Sequence, residues 1–219
     1  MAVCLLLSFA LALVFAVLVQ TPDATERTAP IDPGNAGPDT VLAEAAHVEI
    51  STPIRPESIT GLGYHPDGES LVEMAPRGEN LSANPLLRLF VKGDTPEKIH
   101  YHMMDAAGRA GPQTGALDVG AAAGTKVYAP VSGVVTAIRP DPMMPGANVV
   151  EIKPDANANV RVTVSLVRPS REDSAGVTTH VTAGMTELGT VADSAEILDP
   201  QLSSYTSDAG NHVTISVQR

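Results

Sequence analysis

The sequence has one cysteine, no tryptophan and an aromatic content of 3% in 219 residues. The single thiol, Cys4, excludes an intramolecular disulfide framework and any cysteine-rich zinc site. Two of the three phenylalanines, Phe9 and Phe15, fall in the first 20 residues. Phe90, Tyr64, Tyr101, Tyr128 and Tyr205 are left for the rest of the chain, too few to build a stacking platform for bases or sugars. Basic residues are scarce as well: 14 Lys+Arg against 25 Asp+Glu give a net charge of −11, and the basic residues never run together. Nucleic acid and anionic membrane surfaces are thereby excluded as partners, because affinity for both rests on neutralising phosphates. The sequence contains no internal repeat and no Gly-x-Ser-x-Gly elbow, and its Gly61-Leu62-Gly63 run lacks the strand-before, helix-after setting of a dinucleotide fingerprint.

What is present divides the chain into four parts. Met1 to Val19 carries no charge and only Ser8 as a polar group, close to the roughly 20 apolar residues that cross a bilayer as a helix. The flank Val17-Leu18-Val19-Gln20-Thr21 offers no small-x-small cleavage site, so residues 1–20 read as a retained signal anchor rather than a cleaved signal peptide, with Cys4 as a membrane-buried thiol. No Lys or Arg precedes Arg27, which is unusual for either segment and suggests a start further upstream. Residues 21–46 set Pro22, Pro30, Pro33 and Pro38 among acidic residues and read as a disordered linker, with a short helical turn at Val41 to Ala46. Residues 47–105 form a β-rich extension expected to pack on the main domain, and residues 106–219 form that domain. On this reading the folded part lies outside the cytoplasm.

In the extension, Val48-Glu49-Ile50 reads as a first strand and Ile59 to Pro66, with its glycines, as a structured loop. Leu86 to Val91 is an apolar run. Ile99 to Met104 alternates, placing His100 and His102 on one face. Further on, strands are predicted at Lys126 to Ala129, Gly133 to Ile138, Ala147 to Ile152, Val160 to Val167, Glu187 to Val191 and His212 to Val217. Short strands without helical periodicity predict an all-β fold, an antiparallel sandwich or barrel. The pairs Met103-Met104 and Met143-Met144 read as core filler and loop contact, and His47 and His180 as solvated.

The run Gly115 to Val135, with Leu117-Asp118-Val119-Gly120, Ala123-Gly124-Thr125 and Val127-Tyr128-Ala129-Pro130-Val131-Ser132-Gly133-Val134-Val135, resembles the opening of a lysostaphin/LytM-type zinc metalloendopeptidase domain. Segments Asn148 to Ile152, the strand around Val164, Val181 to Gly184 with Glu187 to Val191, and His212 to Val217 keep the family's order. The resemblance spans about Ala106 to Arg219 and implies an antiparallel β-sandwich of that type and a place at the bacterial cell wall, where the family cuts peptide cross-links.

The family's zinc is held by the His and Asp of His-x-Gly-x-Asp and by the second His of a terminal His-x-His. Asp118 matches the Asp ligand, but Thr114 stands at the first His, Ala116 at the Gly and Thr214 at the last ligand. His212 matches the first His of the pair, a catalytic position in the family. The family's other catalytic His, in a Tyr-Ala-His-Leu strand, aligns with Val164-Ser165-Leu166-Val167. One carboxylate cannot hold a catalytic zinc, which needs three protein ligands and an open position, and a threonine hydroxyl does not replace imidazole.

Two functions follow. The first is a membrane-anchored envelope protein without a cofactor, whose degenerate domain binds peptidoglycan or regulates a cell-wall hydrolase. The alternative is an active zinc peptidase with a rearranged site, in which Asp118 joins His65, His102 or His100. A third reading, an adaptor with a lipoyl-like hammerhead, lacks the carrier lysine.

Overall fold

The computed structural model describes residues 40–82, 99–170 and 175–219. The expected anchor at residues 1–20, the linker as far as residue 39 and the apolar run Leu86 to Val91 lie outside the described residues. No described helix is long and apolar enough to cross a membrane. The described chain is all-β, with three short 3₁₀ turns at Pro56–Ser58, Ser194–Glu196 and Gln201–Ser204.

The strands are β1 (Val41–Ala45), β2 (Val48–Ser51), β3 (Gly61–His65), β4 (Ala75–Pro76), β5 (Glu79–Asn80), β6 (His100–Met103), β7 (Ala116–Gly120), β8 (Lys126–Tyr128), β9 (Gly133–Pro140), β10 (Asn148–Pro154), β11 (Arg161–Arg168), β12 (His180–Val181), β13 (Glu187–Val191) and β14 (His212–Gln218). An 11-stranded sheet runs β12-β9-β10-β11-β14-β7-β3-β6-β5, with β13 on β11 and β8 on β13; a three-stranded sheet runs β2-β1-β4. Most pairings are antiparallel, as expected, but β6 joins β3 and β5 in parallel, so the large sheet is mixed.

Alternation in the sequence sets the faces. Val162 and Val164 of β11, Val213, Ile215 and Val217 of β14, Leu117 and Val119 of β7, and Val150 and Ile152 of β10 turn inward and are buried. They share one core cluster with Leu42, Ala43, Val48 and Ile50 of the small sheet, which covers the inner face of the large one. Burying each Val, Leu or Ile contributes about 1.5–3 kcal/mol. Tyr64, 1% exposed, ties the layers by donating its hydroxyl to the Leu42 carbonyl at 3.1 Å, and burial pushes its phenol pKa up.

Two expectations are corrected. Residues 41–46 are not a helical turn at the end of a linker: Val41–Ala45 is strand β1, hairpinned to β2. Ala46 and His47 hold left-handed φ values of 49° and 64°, the sign a tight type I′ hairpin turn requires. Ile59 to Pro66 is not a loop either, because Gly61–His65 is strand β3 beside β7. Its glycines serve close packing: a Cβ on Gly63 would sit 2.6 Å from the Met104 sulfur, and one on Gly61 would collide with Thr206.

Candidate functional site

The outer face of the large sheet carries a transverse row. Antiparallel register sets Thr214 opposite Asp118 on one side and Gly63 opposite it on the other. Ser165 lies opposite Thr214, and Val149 of β10 continues the row. His212 stands two residues before Thr214 and His65 two residues after Gly63, so both share the Asp118 face and reach it diagonally.

Thr214 donates its hydroxyl to Asp118 Oδ1 at 2.7 Å. His65 Nε2 lies 3.1 Å from the same oxygen, and His212 Nε2 lies 3.6 Å from Oδ2. All three ionisable groups are buried: Asp118 is 4%, His65 3% and His212 7% exposed.

The second ring nitrogens fix the tautomers. His65 Nδ1 donates to the Pro66 carbonyl at 2.9 Å and His212 Nδ1 to the Gly210 carbonyl at 2.7 Å. A carbonyl only accepts, so each Nδ1 carries a proton. A neutral His65 would then turn its Nε2 lone pair onto a carboxylate oxygen, which is repulsive; a proton on Nε2 makes the contact a charge-assisted hydrogen bond. Burial works against that imidazolium, but the hydrogen bond to Asp118, the Asp118 charge and the Pro66 carbonyl outweigh it and raise the His65 pKa. For Asp118, burial pushes the pKa up; the charge of His212, the hydrogen bond and charge of His65, and the Thr214 hydrogen bond outweigh it and hold the carboxyl at about 2.

The zinc that the resemblance implies does not fit these residues. Thr114 spends its hydroxyl on the Met74 carbonyl at 2.7 Å, and Thr214 spends its own on Asp118. The two imidazoles approach Asp118 from strands on its opposite flanks and meet different oxygens, whereas a zinc ion needs its ligands gathered around one point. Among the described residues, no group of three or more His, Cys, Asp or Glu is arranged to hold a metal ion.

Of the sequence candidates, then, Asp118, His65 and His212 come together and the others do not. His102 pairs in register with Gly63, and its ring packs 5.1 Å from that of Tyr205, outside the Asp118 cleft. His100 turns its Nε2 toward Glu79 at 3.7 Å. His47 and His180 are exposed, and His180 Nε2 lies 3.0 Å from Asp155 Oδ2, within hydrogen-bond distance. Met104 and Met144 are buried, while Met143 stands 65% exposed at the cleft.

Around the row lies a cleft of about 760 Å³. Its β10–β11 end is mainly apolar, lined by Pro142, Met143, Val149, Leu166 and Leu198 with the carboxylates of Asp141 and Asp199 beside them; its β7–β3 end is charged, with His65, Asp67, Arg109, Asp118 and His212. Two cleft residues escaped sequence reading. Arg109 is braced by Gln201 Oε1 at 2.5 Å and by the Ala106 carbonyl at 3.2 Å. Asp141, 8% exposed, accepts from the amides of Met143 at 2.9 Å, Met144 at 3.2 Å and Leu166 at 3.0 Å. The local signal for Asp141 was the Asp-Pro pair after a strand, where an Asp side chain caps amides two and three residues on.

No family model and no curated protein matches this chain. Among solved structures it is similar to a chain of the SpoIIQ-SpoIIIAH pore forming complex, at 19% identity and a TM-score of 0.31, over 47% of this chain and 56% of that one. It is also similar to Csd3 of Helicobacter pylori, at 12% identity and a TM-score of 0.33, over 80% of this chain and 36% of that one. The chain thus spans 56% and 36% of the lengths of these two neighbours.

Proposed function

We propose that this chain is a membrane-anchored, extracytoplasmic module that binds cell-wall peptide in the Asp118 cleft without cutting it. The observation that carries this reading is the engagement of Asp118: both of its oxygens are met by Thr214, His65 and His212 at the floor of an open cleft. The carboxylate acts as the anchor of a recognition surface, and the hydroxyls of Thr114 and Thr214 serve structure at the positions where the resemblance places metal ligands. In this reading residues 1–20 anchor the chain and the linker sets the cleft at a distance from the bilayer.

The shape of the cleft supports an extended ligand. Its floor crosses five neighbouring strands, β10-β11-β14-β7-β3, a span of about 19 Å at ~4.8 Å per strand spacing. That is the length of about five or six extended residues at ~3.3 Å each. Small apolar groups fit the end formed by Met143, Leu166 and Leu198. Charged termini or side chains fit the end where His65, Arg109 and Asp67 stand.

Co-sedimentation of the purified chain with peptidoglycan tests this reading. Binding without clearing of a wall suspension is expected, unchanged by added zinc, with Arg109→Ala weakening binding about tenfold. Stoichiometric zinc that disappears in Asp118→Ala, together with clearing of the wall suspension, would overturn it in favour of a peptidase; failure to sediment with the wall would overturn the ligand.

A further inference from the structure

The outer face of the large sheet carries a second depression, beyond the cleft along the same strands. Val149, Glu151 and Lys153 alternate onto this face on β10, and Ser165, Thr163 and Arg161 do so on β11. The groove is about 450 Å³ and is lined by Thr136, Glu151, Lys153, Asn159, Arg161 and Arg219, among others. On β11 Arg161 of the groove lies four positions from Ser165 of the cleft, about 13 Å at ~3.3 Å per residue, and on β10 Glu151 lies two positions from Val149.

The charge pattern here runs against that of the whole chain. Ile152 pairs with Val162, so Lys153 and Arg161 follow as direct cross-strand neighbours. Like charges so placed repel one another and destabilise a sheet. Arg161 in turn pairs with Gln218, which brings Arg219 alongside. The one side-chain carboxylate of the groove, Glu151, is already engaged by Arg139. Lys153, Arg161 and Arg219 have no ion pair or side-chain hydrogen bond among the described residues. Three cationic side chains without an ion pair among the described residues are thus gathered on one concave surface of a chain whose net charge is −11. In sequence they lie far apart, which is why no basic run announces them.

We infer that this groove is an anion site for a compact ligand bearing two or three phosphates. Phosphate suits the donors: two guanidinium forks and an ammonium can each take a different oxygen, and the Asn159 amide adds a neutral donor at the rim. Compactness follows from the range of the charges. Within a Debye length of about 8–10 Å a small anion meets mainly the three local cations, whereas a long polyanion also meets the acidic remainder of the chain. The inference is independent of what the Asp118 cleft binds.

Calorimetric titration of the full chain in detergent with inorganic tripolyphosphate, at 50 and 200 mM salt, tests it. The expected result is saturable binding that weakens with salt. Lys153→Gln/Arg161→Gln should bind at least about tenfold more weakly and with a shallower salt dependence, because two of the screened charges are gone. Arg168→Gln, at the exposed other end of β11, should stay within twofold of the parent chain. Both variants change exposed side chains, and the double variant should melt no lower than the parent because a repulsive pair is gone. Equal losses in the double variant and in Arg168→Gln would overturn the site, as would an unchanged isotherm in the double variant. A single-stranded oligonucleotide binding more tightly than tripolyphosphate would overturn the compact ligand.

Discussion

Asp141 and Asp118 line the same cleft and are 8% and 4% exposed, yet the first is held by backbone amides and the second by side chains. Asp141 gathers the amides of Met143 and Met144 in its own loop and of Leu166 across the sheet, and so fixes the apolar wall. Its partners carry no proton that titrates in water. Asp118 is surrounded by the side chains of His65, His212 and Thr214, which border the open space of the cleft. A buried carboxylate satisfied by backbone builds shape, and one satisfied by imidazoles builds a surface whose charge and hydrogen bonding can answer a ligand or a change of pH.

The contrast is broken most forcefully at Asp141. Asp141→Ala leaves three amide donors without their acceptor, two of them buried. At about 1–3 kcal/mol for each stranded buried group, and less than additively, the loss is about 3–5 kcal/mol in urea unfolding. Asp118→Asn keeps one acceptor oxygen for Thr214 and removes the charge beside two imidazoles, so near pH 6 it should cost about 2 kcal/mol, the linkage value of the lowered Asp118 pKa. If Asp118→Asn proves the more destabilising of the two, the division into wall and recognition surface fails.

The pH dependence separates them further. The Asp118 pKa is lowered from 3.8 to about 2, so its contribution, about 2 kcal/mol, is present above pH 3.8 and is lost as pH falls toward 2. The His65 pKa is raised from 6.5, so its contribution is complete below pH 6.5 and is lost as pH rises through the folded value. Stability from this cluster therefore peaks between about pH 4 and 6.5, a window set by the two shifts. Urea midpoints measured from pH 3 to 9 should show the alkaline fall in the parent chain and in Asp141→Asn, and a flatter profile in Asp118→Asn. A fall of equal size in Asp118→Asn would mean that His65 does not depend on Asp118.

Much of this fold was legible because strands β9, β10, β11, β13 and β14 alternate or run apolar between turn residues. Strands β1 and β3 were hidden by Ala43, Ala45, Gly61 and Gly63, small residues whose fitness for a strand depends on what packs against them: Met104 against Gly63, the large sheet against β1. Asp118 and His212 were found through the resemblance. His65 and His102 were equal candidates by sequence, and topology chose between them: β3 is the antiparallel neighbour of β7, while β6 lies one strand further out. Asp141 was invisible in its decisive contact, because the amide of Leu166 lies 25 positions along the chain.

Leu166 offers the finest test of the wall. It holds φ at +62°, a conformation unfavourable for a bulky side chain, at the point where β11 leaves β14 and takes β13 as its neighbour. Its amide donates to Asp141 and its carbonyl accepts from Ala192 at 3.1 Å, so both halves of its backbone are pinned in the left-handed state. In ordinary strand geometry Gly is less stable than Ala by about 0.5–1 kcal/mol, but the left-handed conformation costs a non-glycine residue about 1–2 kcal/mol. The usual order should therefore invert here. Leu166→Ala and Leu166→Gly both lose the packing of Leu166 on Met144, Ala147 and Ala192, and Leu166→Gly should nonetheless be the more stable by about 0.5–1 kcal/mol in urea unfolding. In an Asp141→Asn background, where the pin on the Leu166 amide is weakened, that advantage of Gly should shrink, because the backbone is freer to relax out of the left-handed region. An advantage of the same size in both backgrounds would show that Asp141 does not impose the kink.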